Sequence, residues 1–167
     1  MSIFYPQERH PTILDVSPKA LVSAGYRGVI LDVDNTLTTH DNPIPSDGVL
    51  AWLEEARAAG LKLIILSNNS PKRVSLFANL LGLDFESNGK KPLPVGYRRA
   101  LTRLGLKPRE AVAIGDQIFT DVLGARLAGI YCIFVNPIEP EHTRFFRFKR
   151  WLERPILSGF ERRRQHQ

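Results

Sequence analysis

One cysteine among 167 residues, Cys132, excludes an internal disulfide and so the small secreted folds stapled by such bonds. It stands within the apolar run 127–135, where a small buried residue is its expected role. Histidine is scarce too: the four, at positions 10, 40, 142 and 166, lie too far apart for zinc-ligand spacing. Long apolar runs are missing. The longest, 127–135, is about half the ~20 residues that a membrane-spanning helix requires, and it contains Gly129. Residues 1–10 lack the basic-then-apolar layout of a secretory signal. These absences predict a cytoplasmic protein.

What is present fits one domain of ordinary size. A hydrophobic fraction of 43% over 167 residues is enough to bury a sizeable core. The formal charge of +6 is unevenly spread. Of the 23 basic and 17 acidic side chains, eight and two fall in residues 144–167, leaving fifteen of each before them. The basic character therefore belongs to the tail.

Largely apolar runs at 28–33, 61–66, 111–114 and 131–135, with a shorter stretch at 83–86, read as buried strands. Between them lie segments with helical spacing and glycine stops: 46–59 with Ser46 as cap, 71–81 beginning at Pro71, 95–104, and 119–128. Ser17-Pro18 opens a short earlier helix, and residues 1–16 read as irregular. Strands alternating with helices predict an α/β, doubly wound, Rossmann-like parallel sheet of about five strands. The expected organisation is an N-terminal segment over 1–27, a core over 28–140 and a basic, aromatic C-terminal helix over 141–167.

In open parallel sheets, ligands bind at the carboxyl ends of the strands, and the notable polar residues fall there. Asp32 and Asp34 end the first predicted strand, Ser67 and Asn68 the second, and Asp116, Gln117 and Asp121 follow the run 111–114. Lys90 and Lys91 follow the short strand. Two aspartates two residues apart on a strand share a face, and a hard divalent cation is the simplest neutraliser of such a pair. The plain alternative is acids facing water where a loop begins. Ser67, Lys90, Lys91 and Asp121 each have a structural reading alone, as caps, solvated charges or helix-dipole partners.

Asp32-x-Asp34-x-Thr36, Ser67-Asn68-Asn69, Lys91-Pro92 and Gly115-Asp116-Gln117-x-x-Thr120-Asp121 occur together in this order. Through these motifs, residues 28–136 resemble the haloacid dehalogenase superfamily of phosphatases in its subclass III form. The nearest likeness is to the YqeG-like branch, whose eukaryotic relatives dephosphorylate phosphatidylglycerophosphate. The resemblance implies a Mg²⁺-dependent phosphomonoesterase with Asp32 as nucleophile and Asp34 as general acid and base. It implies Mg²⁺ held by Asp32, the backbone carbonyl of Asp34 and Asp116. Ser67 and Lys91 would contact the phosphoryl group, with Lys90 a rival for Lys91. Thr36, Asn68, Gln117 and Asp121 would support the site, Asp121 by orienting the lysine or a water.

Only one helix and one strand separate residues 37 and 67, and again residues 70 and 91. No cap domain fits in either gap, so the site is expected to be open to a large substrate, such as a lipid. On a helical wheel Phe145, Phe148, Trp151 and Leu152 share one arc, with Arg147, Arg150 and Arg154 opposite. Such a helix suits the anionic inner face of a membrane, or packs its aromatic arc on the domain. Two other readings stay open: a phosphatase for a nucleotide, sugar phosphate or nucleic-acid end, and a non-catalytic membrane- or RNA-binding module.

Overall fold

Each apolar run becomes a parallel strand, and the helices between them cover both faces. The computed structural model describes residues 2–39, 42–140 and 143–164. Three of the four histidines, His40, His142 and His166, lie outside the described residues. The strands are β1 (Glu8–His10), β2 (Gly28–Leu31), β3 (Lys62–Leu66), β4 (Asp84–Glu86), β5 (Ala111–Gly115) and β6 (Tyr131–Val135). They form one sheet in the order β1-β6-β5-β2-β3-β4, with every pairing parallel. The helices are α1 (Pro18–Ser23), α2 (Val49–Ala58), α3 (Pro71–Leu81), α4 (Pro94–Leu104), α5 (Leu123–Leu127) and α6 (Arg144–Arg164).

Alternate residues of the central strands feed two cores, as the two-residue strand period requires. Val29, Leu31, Leu63, Ile65, Val112 and Ile114 pack with Trp52 and Leu53 of α2 and Phe77 of α3. Ile30, Ile64, Leu66, Ala113, Cys132 and Phe134 pack with Tyr97 and Leu101 of α4, and Ile156 and Leu157 of α6 lie against them. Burial pushes the Cys132 thiol pKa up, which suits an inert filler.

Three local expectations are corrected. The sheet has a sixth strand, β1, where an irregular segment was expected; its residues are all polar and give no apolar signal. It is held instead by pairing to β6 and by side-chain bonds, including Tyr131 Oη to Glu8 at 2.8 Å. Helix α2 begins at Val49 with Gly48 before it at φ 82°, so Ser46 sits in the preceding turn and is not the cap. The expected helix 119–128 is in two parts, a wide turn over Ile118–Val122 and then α5. Val122 N–H reaches back five residues to Gln117 O at 3.1 Å, and that widening swings the Asp121 side chain toward the sheet.

The strand order reverses about β2. From β2 the chain moves outward through β3 and β4, then returns to the other side for β5 and β6. The crevice between the carboxyl ends of β2 and β5 is thus the topological switch point, where open α/β sheets bind ligands. Among the described residues, the segments from Leu37 to Ser67 and from Ser70 to Lys91 contain only α2, β3, α3 and β4 and no inserted lid.

Candidate active site at the switch point

Asp32 leaves β2 and Asp116 leaves β5, side by side across the crevice, with Asp32 N–H bonded to Ile114 O at 3.0 Å. Carboxylate oxygens of Asp32, Asp116 and Asp121 all lie within 4.8 Å of one another. Lys91 enters this cluster with its ammonium 2.6 Å from Asp32 Oδ1 and 2.6 Å from Asp121 Oδ1. Lys90, its rival from the sequence, is exposed, and Lys91 is the one of the two that reaches the cluster. Asn68 fixes that lysine's backbone, donating from Nδ2 to Lys91 O at 3.1 Å and accepting Lys91 N–H at 2.8 Å. Gly96 presses its bare Cα face on the Gly89 carbonyl, where any side chain would collide, and so α4 braces the same loop.

The charges here are tightly balanced. Asp116 and Asp121 are buried, at 0% and 3% exposure, where an unpaired carboxylate is very costly. Burial, then the charge of Asp121, push the Asp32 pKa up to about 7 against the pull of Lys91. Burial raises that of Asp116 as well. Burial disfavours the Lys91 ammonium, yet Asp121 and Asp32 together hold its pKa above the ordinary lysine value. Thr36 Oγ1 donates to Asp32 Oδ2 at 3.3 Å, and Gln117 N–H to Asp121 Oδ2 at 3.1 Å.

Asp34 stands apart from the cluster. Its carboxylate takes Asn69 Nδ2 at 2.5 Å and Arg73 Nη2 at 2.5 Å, both from the start of the α3 segment. Ser67 is buried, its hydroxyl accepting Asn69 N–H at 3.1 Å. Ser67, Asn69 and Arg73 line a cavity of about 330 Å³ that also touches Val33 and Phe77. Asn69 carries no role in the sequence motif that contains it, and Arg73 gives no sequence signal, although both lie within six residues of Ser67.

A family model for haloacid dehalogenase-like hydrolases matches residues 39–129, more than half of the chain. The Bacillus subtilis protein named "Probable phosphatase YqeG" is 38% identical over 160 residues, covering 96% of this chain and 93% of its own. The chain belongs to the haloacid dehalogenase-like hydrolases. A more distant relative, "Phosphatidylglycerophosphatase GEP4, mitochondrial" of Saccharomyces cerevisiae, is 29% identical over 147 residues, 73% of this chain and 77% of that one. Among solved structures, a HAD phosphatase from Thermococcus onnurineus superposes with a TM-score of 0.59 at 19% identity, covering 71% of this chain and 90% of that one.

The donor set of this haloacid dehalogenase-like hydrolase fits a hard divalent cation. Asp116 Oδ1 is buried and has no hydrogen-bond partner among the described residues, in a cluster that supplies only carboxylate oxygens. Asp32 accepts from Lys91 and Thr36, and Asp121 from Lys91 and Gln117, so within the cluster Asp116 Oδ1 is the oxygen left unengaged among the described residues.

Helix α6 closes the far side of the site. Arg150 donates from Nη1 to the Asp116 carbonyl and from Nη2 to Asp116 Oδ2. Lys149 Nζ donates to Gln117 Oε1 at 2.6 Å. Glu153, 1% exposed, accepts the N–H of Ile118 at 2.8 Å and that of Phe119 at 3.4 Å, capping the wide turn. The aromatic arc does not pack on the domain: Phe145, Phe148, Trp151 and Leu152 are 71%, 58%, 60% and 38% exposed. A third arc, with Glu153, Ile156, Leu157 and Phe160, makes the contact.

Proposed function

We propose that the protein is a Mg²⁺-dependent phosphomonoester hydrolase acting through an aspartyl-phosphate on Asp32, with phosphatidylglycerophosphate as substrate and phosphatidylglycerol as product. The observation that carries the reading is the division of labour between two aspartates. Asp32 lies in the cluster under Lys91, while Asp34 is held clear of it by Asn69 and Arg73. This separation supports a reading in which Asp32 bonds to phosphorus and Asp34 moves a proton.

In the first half-reaction an Asp32 carboxylate oxygen attacks phosphorus, and the bond from phosphorus to the ester oxygen breaks. Asp34 gives its proton to that leaving oxygen. In the second half, Asp34 takes a proton from water as the water oxygen attacks phosphorus and the bond to Asp32 breaks, releasing inorganic phosphate. Lys91 offsets charge on the phosphoryl oxygens, and Asp121 holds the lysine in position. Ser67 lies at the wall of the cavity beside Asp34 and donates to a phosphoryl oxygen. Asp32, Asp116 and the Asp34 carbonyl would hold Mg²⁺, which would supply positive charge between carboxylate and phosphate.

The lipid assignment is supported by the open site, the exposed aromatic arc of α6, and the yeast relative named as a phosphatidylglycerophosphatase. It places the enzyme in the cytoplasm, working peripherally at the inner face of the membrane. The test is phosphate release from phosphatidylglycerophosphate in mixed micelles, from small sugar phosphates and nucleotides, and from p-nitrophenyl phosphate, with and without EDTA. The lipid should be turned over with the highest kcat/KM and EDTA should stop every reaction. Faster turnover of a nucleotide or sugar phosphate would replace the lipid as substrate, and no Mg²⁺-dependent release from any ester would remove the enzymatic reading.

Arg150 competes with a cation for Asp116. Arg150→Gln removes that positive charge beside a buried carboxylate, so Mg²⁺ binding measured by titration calorimetry should tighten about tenfold. The gain in melting temperature on adding Mg²⁺ should be larger in the variant than in the wild type. An unchanged affinity would show that Arg150 leaves Asp116 at no cost.

A further inference from the structure

Between α6 and the carboxyl end of β6 lies a second cavity, of about 910 Å³, separate from the one beside Asp34. Five arginines line it, Arg9, Arg144, Arg147, Arg150 and Arg154, against one carboxylate, Glu153. That carboxylate is already engaged by Arg150 at 3.1 Å and by the Ile118 N–H. Arg9 pairs with Glu161 and Asn136. Among the described residues no carboxylate pairs with Arg144, Arg147 or Arg154. Arg144 and Arg147 are three residues apart on a helix, a spacing at which like charges repel. A concave site that gathers unpaired guanidinium groups is complementary to an anion, and phosphate oxygens match their donor geometry.

The cavity is joined to the reaction centre through one side chain. Arg150 lines it and also donates to Asp116. Phe148 and Trp151, which also line it, stack with ring centroids 5.9 Å apart, and Leu152 and Phe145 of the same helix are exposed as well. Guanidinium groups and apolar side chains side by side on one concave surface fit a molecule with an internal phosphate and acyl chains.

We propose that this arginine-lined cavity binds the phosphodiester of a glycerophospholipid substrate, and so selects esters whose reacting phosphate is carried on a second, non-reacting one. The inference rests on the reading of the switch-point cluster as a phosphatase site, and extends it to the part of the substrate that does not react.

Its test needs no turnover. The probe is dihexanoyl phosphatidylglycerol below its micellar concentration, a phosphodiester lacking the phosphomonoester. Binding is read from Trp151 fluorescence, Trp52 being buried in the other core. The wild-type protein should bind it, and the Arg147→Gln/Arg154→Gln double variant should raise Kd about tenfold or more. Zwitterionic dihexanoyl phosphatidylcholine should bind more weakly, because its choline meets the arginines. In turnover, the double variant should lower the ratio of kcat/KM for phosphatidylglycerophosphate over p-nitrophenyl phosphate by about tenfold. Equal binding by wild type and double variant would overturn the proposal, as would tighter binding of inorganic phosphate or of a short oligothymidylate than of the lipid probe. Hydrolysis of p-nitrophenyl phosphate by the wild type separates these failures from failure of the phosphatase reading.

Discussion

Phosphate release by the Asp32→Asn variant is expected to fall roughly 10³-fold or more, with the fold intact. An amide oxygen is a poor nucleophile toward phosphorus, and no neighbour can take its place. Asp34 is turned to Asn69 and Arg73, Asp121 is engaged by Lys91 and Gln117, and Asp116 sits at 0% exposure behind Arg150. Stability should change little or improve. The substitution removes a carboxylate whose pKa burial, then the charge of Asp121, push up to about 7. Steady-state phosphate release and thermal melting check both halves. A variant that keeps a tenth of wild-type activity would mean that another group attacks phosphorus.

Much of this site was legible in the sequence because each part announces itself locally. An apolar run ending in Asp32-x-Asp34 marks a buried strand and the edge where it delivers side chains, and the same holds for Leu66-Ser67 and Gly115-Asp116. Lys91 was legible as one of two lysines, and folding chose between them by burying one. What escaped depends on contacts distant in sequence. Arg150 reaches Asp116 across 34 positions, and Arg73 reaches Asp34 across 39; no local spacing signals either. On α6 the wheel identified the aromatic arc, but the arc that docks is centred on Glu153, a charged residue that a hydrophobic pattern passes over. Strand β1 was hidden for a related reason: Glu8, Arg9 and His10 earn their place by backbone pairing to β6.

Lys91→Met should be the most destabilising single change in the site. The lysine side chain is 4% exposed and lies against carboxylates of Asp32 and Asp121 that are 12% and 4% exposed. Removing the cation leaves two buried acids without their partner, at a cost of about 3–5 kcal/mol. For a domain of this size that corresponds to a fall in melting temperature of roughly 6–20 °C. Lys90→Met, at the exposed neighbour, should melt within about 2 °C of the wild type. Turnover should fall on the order of 10²-fold or more in the Lys91 variant, since the Lys91 ammonium lies 2.6 Å from Asp32, the proposed nucleophile. Added Mg²⁺ should recover more melting temperature in Lys91→Met than in the wild type, because a divalent cation then meets a more negative cluster. Equal melting of Lys91→Met and Lys90→Met would show that the buried ion pairs do not hold this end of the sheet together.

The central claim is that Asp32 carries the phosphoryl group between two half-reactions. The direct measurement is to mix the protein with a phosphomonoester and Mg²⁺, quench in acid during turnover, digest it, and map the covalent phosphate by mass spectrometry. Phosphate on the peptide containing Asp32, absent from Asp32→Asn, is the predicted result. Phosphate on any other residue, or the same amount in Asp32→Asn, would contradict it.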